Sequence, residues 1–259
     1  MKIGKYFFAM ITVYLLFSGM VAYAGTETLT VDEIMDKIDK TSPDFSTQKT
    51  ISEMILTDKD GNEEIREMIM FSQKVENDQK NILVRFLSPK SFKGVTLLSI
   101  NDGEKIYLYP PAYGKPKWIT GSTKQEEFMG TGLSYEDMSM DYKDKDYDKK
   151  LLEETDDEYI IEVLPSGEDV SYKKIILTVD KEKFYAKKVE FYKVIEDLTK
   201  ILEIVQIQIG ENDKITPIEL VFTDLVKNQK TKIVIKEMEY NVELSSDFFS
   251  IRTLSKPTL

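Results

Sequence analysis

The chain has no histidine and no cysteine. Without them the common nucleophile–base pairs, thiolate chemistry and most zinc sites have nothing to build on, and no disulfide can staple the fold. A lipid-modified cysteine is excluded for the same reason, so the protein is not itself a lipoprotein. Tryptophan occurs once, at Trp118, and glycine only 12 times. Gly130 and Gly132 lack the third glycine and the strand–turn–helix setting of a phosphate loop. Carboxylates, Lys, Tyr, Ser and Thr are the only potential catalysts left, which points away from an enzyme.

Basic residues are also in the minority: 35 Lys and Arg against 46 Asp and Glu give a formal charge of −11. That balance favours solubility and disfavours nucleic acid and anionic membrane faces as direct partners. The charges are interspersed along the chain, as on a folded surface. Long apolar runs are equally scarce. The longest, residues 6–17, follows Lys2 and Lys5 and precedes Ala22-Tyr23-Ala24. Being shorter than the roughly 20 residues of a membrane span, it reads as a secretory signal peptide cleaved after Ala24, with an uncleaved anchor as the alternative. Residues 25–259 are then expected in the periplasm as a single domain.

That exported part opens with one amphipathic helix. Thr30 is its N-cap, Glu33 completes a capping box, and Val31, Ile34, Met35 and Ile38 form the apolar stripe; residues 41–43 end it at Pro43. Eleven strands follow, at 47–57, 63–71, 81–87, 94–100, 105–109, 158–164, 171–179, 186–194, 200–209, 215–226 and 231–240. Gly, Asn, Asp or Pro punctuates the breaks. Short strands at this spacing predict an antiparallel sandwich or barrel. Residues 110–150 form a turn-rich, aromatic interlude with helical character around 135–140. Strands 81–87 and 94–100 are apolar on both faces, so each face needs cover from a helix, a second sheet or a ligand.

Three constellations bear on chemistry. Residues 144–148 imitate the start of a calcium loop, but its sixth position is Lys149 and its twelfth Thr155, so a solvated charge run is the better reading. Glu126, Glu127, Glu136 and Asp137 supply carboxylates without any nucleophile or oxyanion hole beside them. The third is aromatic: Tyr107, Tyr109, Tyr113, Trp118, Phe128 and Tyr135, with Met129 and three prolines, within thirty residues. Such a segment either plugs one end of the sheet or lines a site for something apolar.

The run Val84-Arg85-Phe86-Leu87-Ser88-Pro89, then Gly94-Val95-Thr96-Leu97-Leu98, Tyr107-Leu108-Tyr109-Pro110, Phe128-Met129-Gly130-Thr131 and Ser134-Tyr135-Glu136-Asp137 resembles the outer-membrane lipoprotein-sorting protein family, exported relatives of the LolA-like periplasmic carriers. Tyr172-Lys173-Lys174 and the closing Asp247-Phe248-Phe249-Ser250 extend the likeness. The resemblance implies a mainly β fold, an unclosed antiparallel half-barrel of about eleven strands with an N-terminal helix and a helical or loop lid. It further implies a concavity for lipid or lipoprotein acyl chains and an RND-type membrane transporter as partner, with no catalytic group, cofactor, metal or nucleic acid. The expected ligand-binding residues are Met54, Met68, Met70, Leu98, Tyr107, Tyr109, Trp118, Phe128, Met129 and Tyr135. Two departures stand out: Gly132, where an acidic residue is expected, and a thin basic cluster of Lys115, Lys117 and Lys124. The alternative function is an accessory or sensor subunit that docks a transporter through the aromatic loop.

Overall fold

The computed structural model describes residues 28–76, 79–138, 147–166 and 170–259. Helix α1, Val31–Thr41, starts where expected: the Thr30 hydroxyl accepts from the Glu33 N–H, and the Glu33 carboxylate accepts from the Thr30 N–H at 2.8 Å. Ile34, Met35 and Ile38 are its buried stripe.

Apart from short 3-10 turns, everything else regular among the described residues is sheet. Among the described residues the strands are β1 (Thr47–Thr57), β2 (Glu63–Lys74), β3 (Lys80–Ser88), β4 (Thr96–Ile100), β5 (Lys105–Tyr109), β6 (Lys117–Ile119), β7 (Asp148–Glu154), β8 (Glu158–Leu164), β9 (Lys174–Asp180), β10 (Ala186–Val194), β11 (Asp197–Ile209), β12 (Ile215–Asp224) and β13 (Gln229–Tyr240). They make one antiparallel sheet of order β6-β5-β4-β3-β2-β1-β13-β12-β11-β10-β9-β8-β7. β6 and β7 remain as free edges, so the sheet is a half-barrel. The eleven expected strands are all present. β6 and β7 are additional: β6 lies inside the interlude read as turns, where a three-residue strand leaves almost no period-2 signal, and β7 straddles its end at residue 150, where paired charges and paired leucines break the alternation. Residues 135–138 are turns, and residues 139–146, which hold most of the calcium-like run, lie outside the described residues.

Pairing register assigns the two faces. Met54 opposes Arg66 and Ile233, Met68 opposes Phe86, Val84 opposes Leu97, and Leu97 opposes Leu108, so these side chains share the inner face. Ile69, Phe71, Leu83, Leu98, Tyr107 and Tyr109 point the other way and pack under the C-terminal segment through Phe248 and Leu254. α1 fills the inner face at β8–β10, against Ile161, Leu177 and Val189. The outer face of the central strands is a charge ladder instead: Lys232 pairs with Glu219 at 2.8 Å, Lys236 with Glu53 at 3.4 Å and Lys49 with Glu239 at 2.6 Å.

Arg85 fastens the C-terminal segment to the outer face. Its guanidinium, buried with no carboxylate in contact, donates to the carbonyls of Thr253 (3.0 Å), Leu254 (3.1 Å) and Lys256 (2.8 Å) and to Thr96 Oγ1 (2.8 Å). Arg85→Met keeps the stem and removes every donor. It is expected to cost about 3 kcal/mol in denaturant unfolding and to make residues 241–259 the first target of limited proteolysis.

Candidate functional site

Three segments of the inner face carry different side chains. Beside β7–β10 stands α1. At the β1–β6 flank a plug, residues 120–138, folds back into the concavity. Phe128 is fully buried, stacked on Phe86 at 5.6 Å between centroids and edge-on to Tyr135 at 5.6 Å. The plug closes on itself through Phe128 N–H to Leu133 O (2.7 Å) and Thr131 Oγ1 to Phe128 O (2.7 Å).

The plug is pinned by charge as well as packing. Arg66 forks onto Glu64 (2.9 and 3.0 Å), donates to Met129 O (2.7 Å) and lies 3.6 Å over the Phe92 ring. Thr231 Oγ1 donates to Thr131 O at 2.6 Å, and Gln229 Nε2 to Gly130 O at 2.9 Å. Lys227 pairs with Glu127, whose carboxylate also accepts from the Gly132 N–H at 2.5 Å. Gly132 has φ +72°, which explains the glycine where an acidic residue was expected: a left-handed backbone here strains any other L-residue.

Asp137 closes the network. Its carboxylate accepts from Lys200, from the Tyr172 hydroxyl (2.6 Å) and from the Ser134 N–H (2.7 Å). Glu136 accepts from the Ser171 N–H at 3.1 Å and from its hydroxyl. Burial, then the Asp137 charge, pushes the Tyr172 phenol far above its ordinary pKa. Of the four candidate carboxylates, those of Glu127, Glu136 and Asp137 are thus engaged in holding the plug. Among the described residues no group of acids is placed to hold a metal ion.

Between plug and helix lies the third segment. Leu220 opposes Ile233 and Ile204, Ile235 opposes Ser52, and Thr50 stands between Met238 and Met70. The aliphatic and methionine side chains in this trough are half-buried, with no charge among them. Its floor is small: Thr50 and Ser52 are 1% and 2% exposed, and Thr50 Oγ1 has no hydrogen-bond partner among the described residues. The groove of about 610 Å³ formed by Glu158, Lys187, Lys188, Glu190 and Glu203 with their neighbours belongs to the charged outer side instead.

The ten expected ligand-binding residues separate accordingly. Met54 and Met68 lie buried under the plug, Met70 is half-buried at the trough, and Phe128, Met129 and Tyr135 are in the plug. Leu98, Tyr107 and Tyr109 join the outer cluster, and Trp118, opposite Tyr107, is on the outer side at 57% exposure. The structure therefore does not bring all ten together. Sequence reasoning missed Ile204, Leu220, Ile233, Ile235 and Met238, whose only signal is the apolar alternation of β11–β13, and missed Arg66 and Lys200 as anchors of the plug.

Two outcomes follow for the plug. Phe128→Ala should lower unfolding free energy by roughly 3–5 kcal/mol in denaturant titration, as a stacked ring leaves a void between Phe86 and Tyr135. Burial works to raise the Glu127 pKa, but the bonds from Lys227 and the Gly132 N–H outweigh it and hold it below the ordinary carboxylate value. A depressed folded-state pKa stabilises above the unfolded-state value and loses that stabilisation as pH falls through the folded one. Glu127→Gln should therefore melt below the parent protein at neutral pH, with the gap narrowing as pH falls below the ordinary carboxylate range in a series of thermal melts.

Residues 78–256 match the model of a family described as uncharacterized protein. No curated protein matches the chain. Among solved structures, it is similar to a domain from Vibrio parahaemolyticus described as an outer membrane lipoprotein-sorting protein, at 23% identity and TM-score 0.79 over 86% of this chain and 97% of that one. It is also similar to a LolA superfamily protein from Nitrosomonas europaea, at 21% identity and TM-score 0.69 over 86% and 98%. The unclosed antiparallel half-barrel and its N-terminal helix thus agree with the resemblance read from the motifs. The chain belongs to the family of uncharacterized proteins whose model spans its residues 78–256, and its fold is that of the LolA-like lipoprotein-sorting proteins.

Proposed function

We propose that the protein is a periplasmic, non-enzymatic carrier that shelters acyl chains of a lipid or lipoprotein in the trough between α1 and the plug. The observation that carries this reading is the contrast between faces. The outer side of the central strands is a ladder of ion pairs, while the inner side offers uncharged, half-buried Ile204, Leu220, Ile233 and Ile235 beside Met70 and Met238. A sheet face of this kind is stabilised by anything that takes its water away, at about 25 cal/mol per Å² of apolar area or ~0.8 kcal/mol per methylene. Methionines at the trough suit cargo of varied shape, because their unbranched side chains repack at low cost.

Ligand contacts fall to the inner members of the expected set, Met70 and Met129 foremost, with Met54, Met68, Phe128 and Tyr135 shaping the wall. Leu98, Tyr107, Tyr109 and Trp118 face away from the trough and have no contact with cargo in this reading. Export by the 1–24 signal peptide and exchange of cargo with an RND-type transporter complete the proposal; the signal sequence supports the first, and the second rests on the family resemblance of the motifs alone. Transfer of a chain between membranes breaks no bond, in keeping with carboxylates that are committed to structure.

The test is native mass spectrometry of protein taken from the periplasm without detergent, followed by titration with a fluorescent long-chain fatty acid. A co-purifying lipid or acylated peptide released on denaturation is the expected result. Leu220→Lys should weaken fatty-acid binding at least tenfold, about 1.4 kcal/mol, while Ile65→Lys on the outer face leaves it unchanged. Protein that arrives empty and refuses added lipid would refute the carrier reading.

A further inference from the structure

The exposed apolar residues of this protein are not scattered. Alternation of strand direction puts the β1–β2, β3–β4, β5–β6, β8–β9, β10–β11 and β12–β13 connections at one end of the half-barrel. In or beside three of those connections lie Tyr113 (77% exposed), Val226 (74%), Ile195 (65%), Val194 (59%) and Trp118 (57%). Isolated exposed side chains of this kind are ordinary; five of the most exposed at one rim are not.

Charge is distributed with equal asymmetry. Residues 79–125 carry eight Lys or Arg and two acids, a balance of +6 in a chain of net charge −11. Lys105 is paired with Glu104, Lys124 donates to Gly103 O, and Arg85 holds the C-terminal segment. Lys90 and Lys93 in the β3–β4 turn, and Lys115 and Lys117 in and beside the β5–β6 connection, form no ion pair among the described residues and are exposed. The two connections touch: a Cβ on Gly94 would stand 3.1 Å from Pro111 Cγ. Four free lysines thus share one corner with Tyr113 and Trp118. The neighbouring β1–β2 turn is acidic; its Asp58 is exposed, and its carboxylate accepts from the turn's own Asp60 and Asn62 N–H groups at 2.9 Å without pairing to any of the four lysines.

We propose that this rim is a membrane-docking surface, in which Tyr113 and Trp118 enter the interfacial layer of an anionic phospholipid bilayer and Lys90, Lys93, Lys115 and Lys117 engage its headgroups. Amphipathic rings settle at headgroup depth because one end of each is apolar and the other polar. Each lysine near an anionic surface adds to the attraction, and the overall acidity of the protein orients this corner toward the surface while repelling the rest. The inference goes beyond the carrier reading and does not depend on it, because the docking is read without any cargo.

Trp118, as the only tryptophan, is its own reporter. The exported form of the protein would be mixed with phosphatidylcholine vesicles, or with vesicles in which roughly one third of the lipid is phosphatidylglycerol, and followed by tryptophan emission and co-sedimentation. The expected result is a blue shift and sedimentation with the anionic vesicles only, both suppressed by high salt. Lys115→Gln with Lys117→Gln should weaken partition on the order of 30-fold, whereas Lys181→Gln with Lys183→Gln at the opposite end should not change it. Circular dichroism confirms that these surface variants fold. No blue shift with either vesicle overturns the proposal, as does equal binding to both. Binding that appears only when a membrane protein is reconstituted would also overturn it, in favour of a protein partner. A protein that docks yet binds no fatty acid would leave this inference standing and remove the carrier reading alone.

Discussion

A curved antiparallel sheet that stops before closing must cover its inner face by other means, and the rest of this structure depends on that constraint. Among the described residues, thirteen strands leave β6 and β7 unpaired at their outer edges. β6 is only three residues long and β7 carries five charged residues, Asp148, Lys149, Lys150, Glu153 and Glu154, around Leu151 and Leu152, two ordinary ways of keeping an open edge from recruiting another strand. The concavity is covered from two sides, by α1 over β8–β10 and by the plug over β1–β6. What neither reaches is the trough, and the proposed function is a statement about that uncovered strip.

The two covers are held differently. α1 is a packed helix whose buried stripe is aliphatic, so its attachment is mostly hydrophobic. The plug has an aromatic centre, Phe128 between Phe86 and Tyr135, ringed by Arg66, Lys200 and Lys227 with their carboxylate partners Glu64, Asp137 and Glu127. Of the three pairs only Lys200–Asp137 is buried at both ends; such a pair contributes little net stability relative to apolar packing, yet breaking one member is costly, so it fixes position more than it adds strength. A plug set in register by charge keeps the boundary of the trough defined even though half of its lining is adaptable methionine and isoleucine.

Charge also separates the surfaces by task. Ion pairs across β1, β12 and β13 keep the outer face wet, while the inner face opposite them carries none. The net acidity that disfavours anionic membranes for the molecule as a whole conceals a basic, aromatic corner at one rim, visible only once the turns that carry it are brought together.

The sequence alone determined the elements. The capping box at Thr30 and Glu33, the eleven strand segments and the missing His and Cys are local facts, and the structure repeats them because helix caps and period-2 patterns act within a few residues. The Phe-Met-Gly segment was legible as important, though not as plug or wall. Tertiary structure decided the rest. Each strand's alternation fits either face equally well, and only pairing register placed Met54 and Ile233 inside while sending Leu98, Tyr107 and Trp118 outside. Likewise Asp137 and Lys200, 63 residues apart, meet only because the chain returns through β11, a long-range contact that no local pattern encodes.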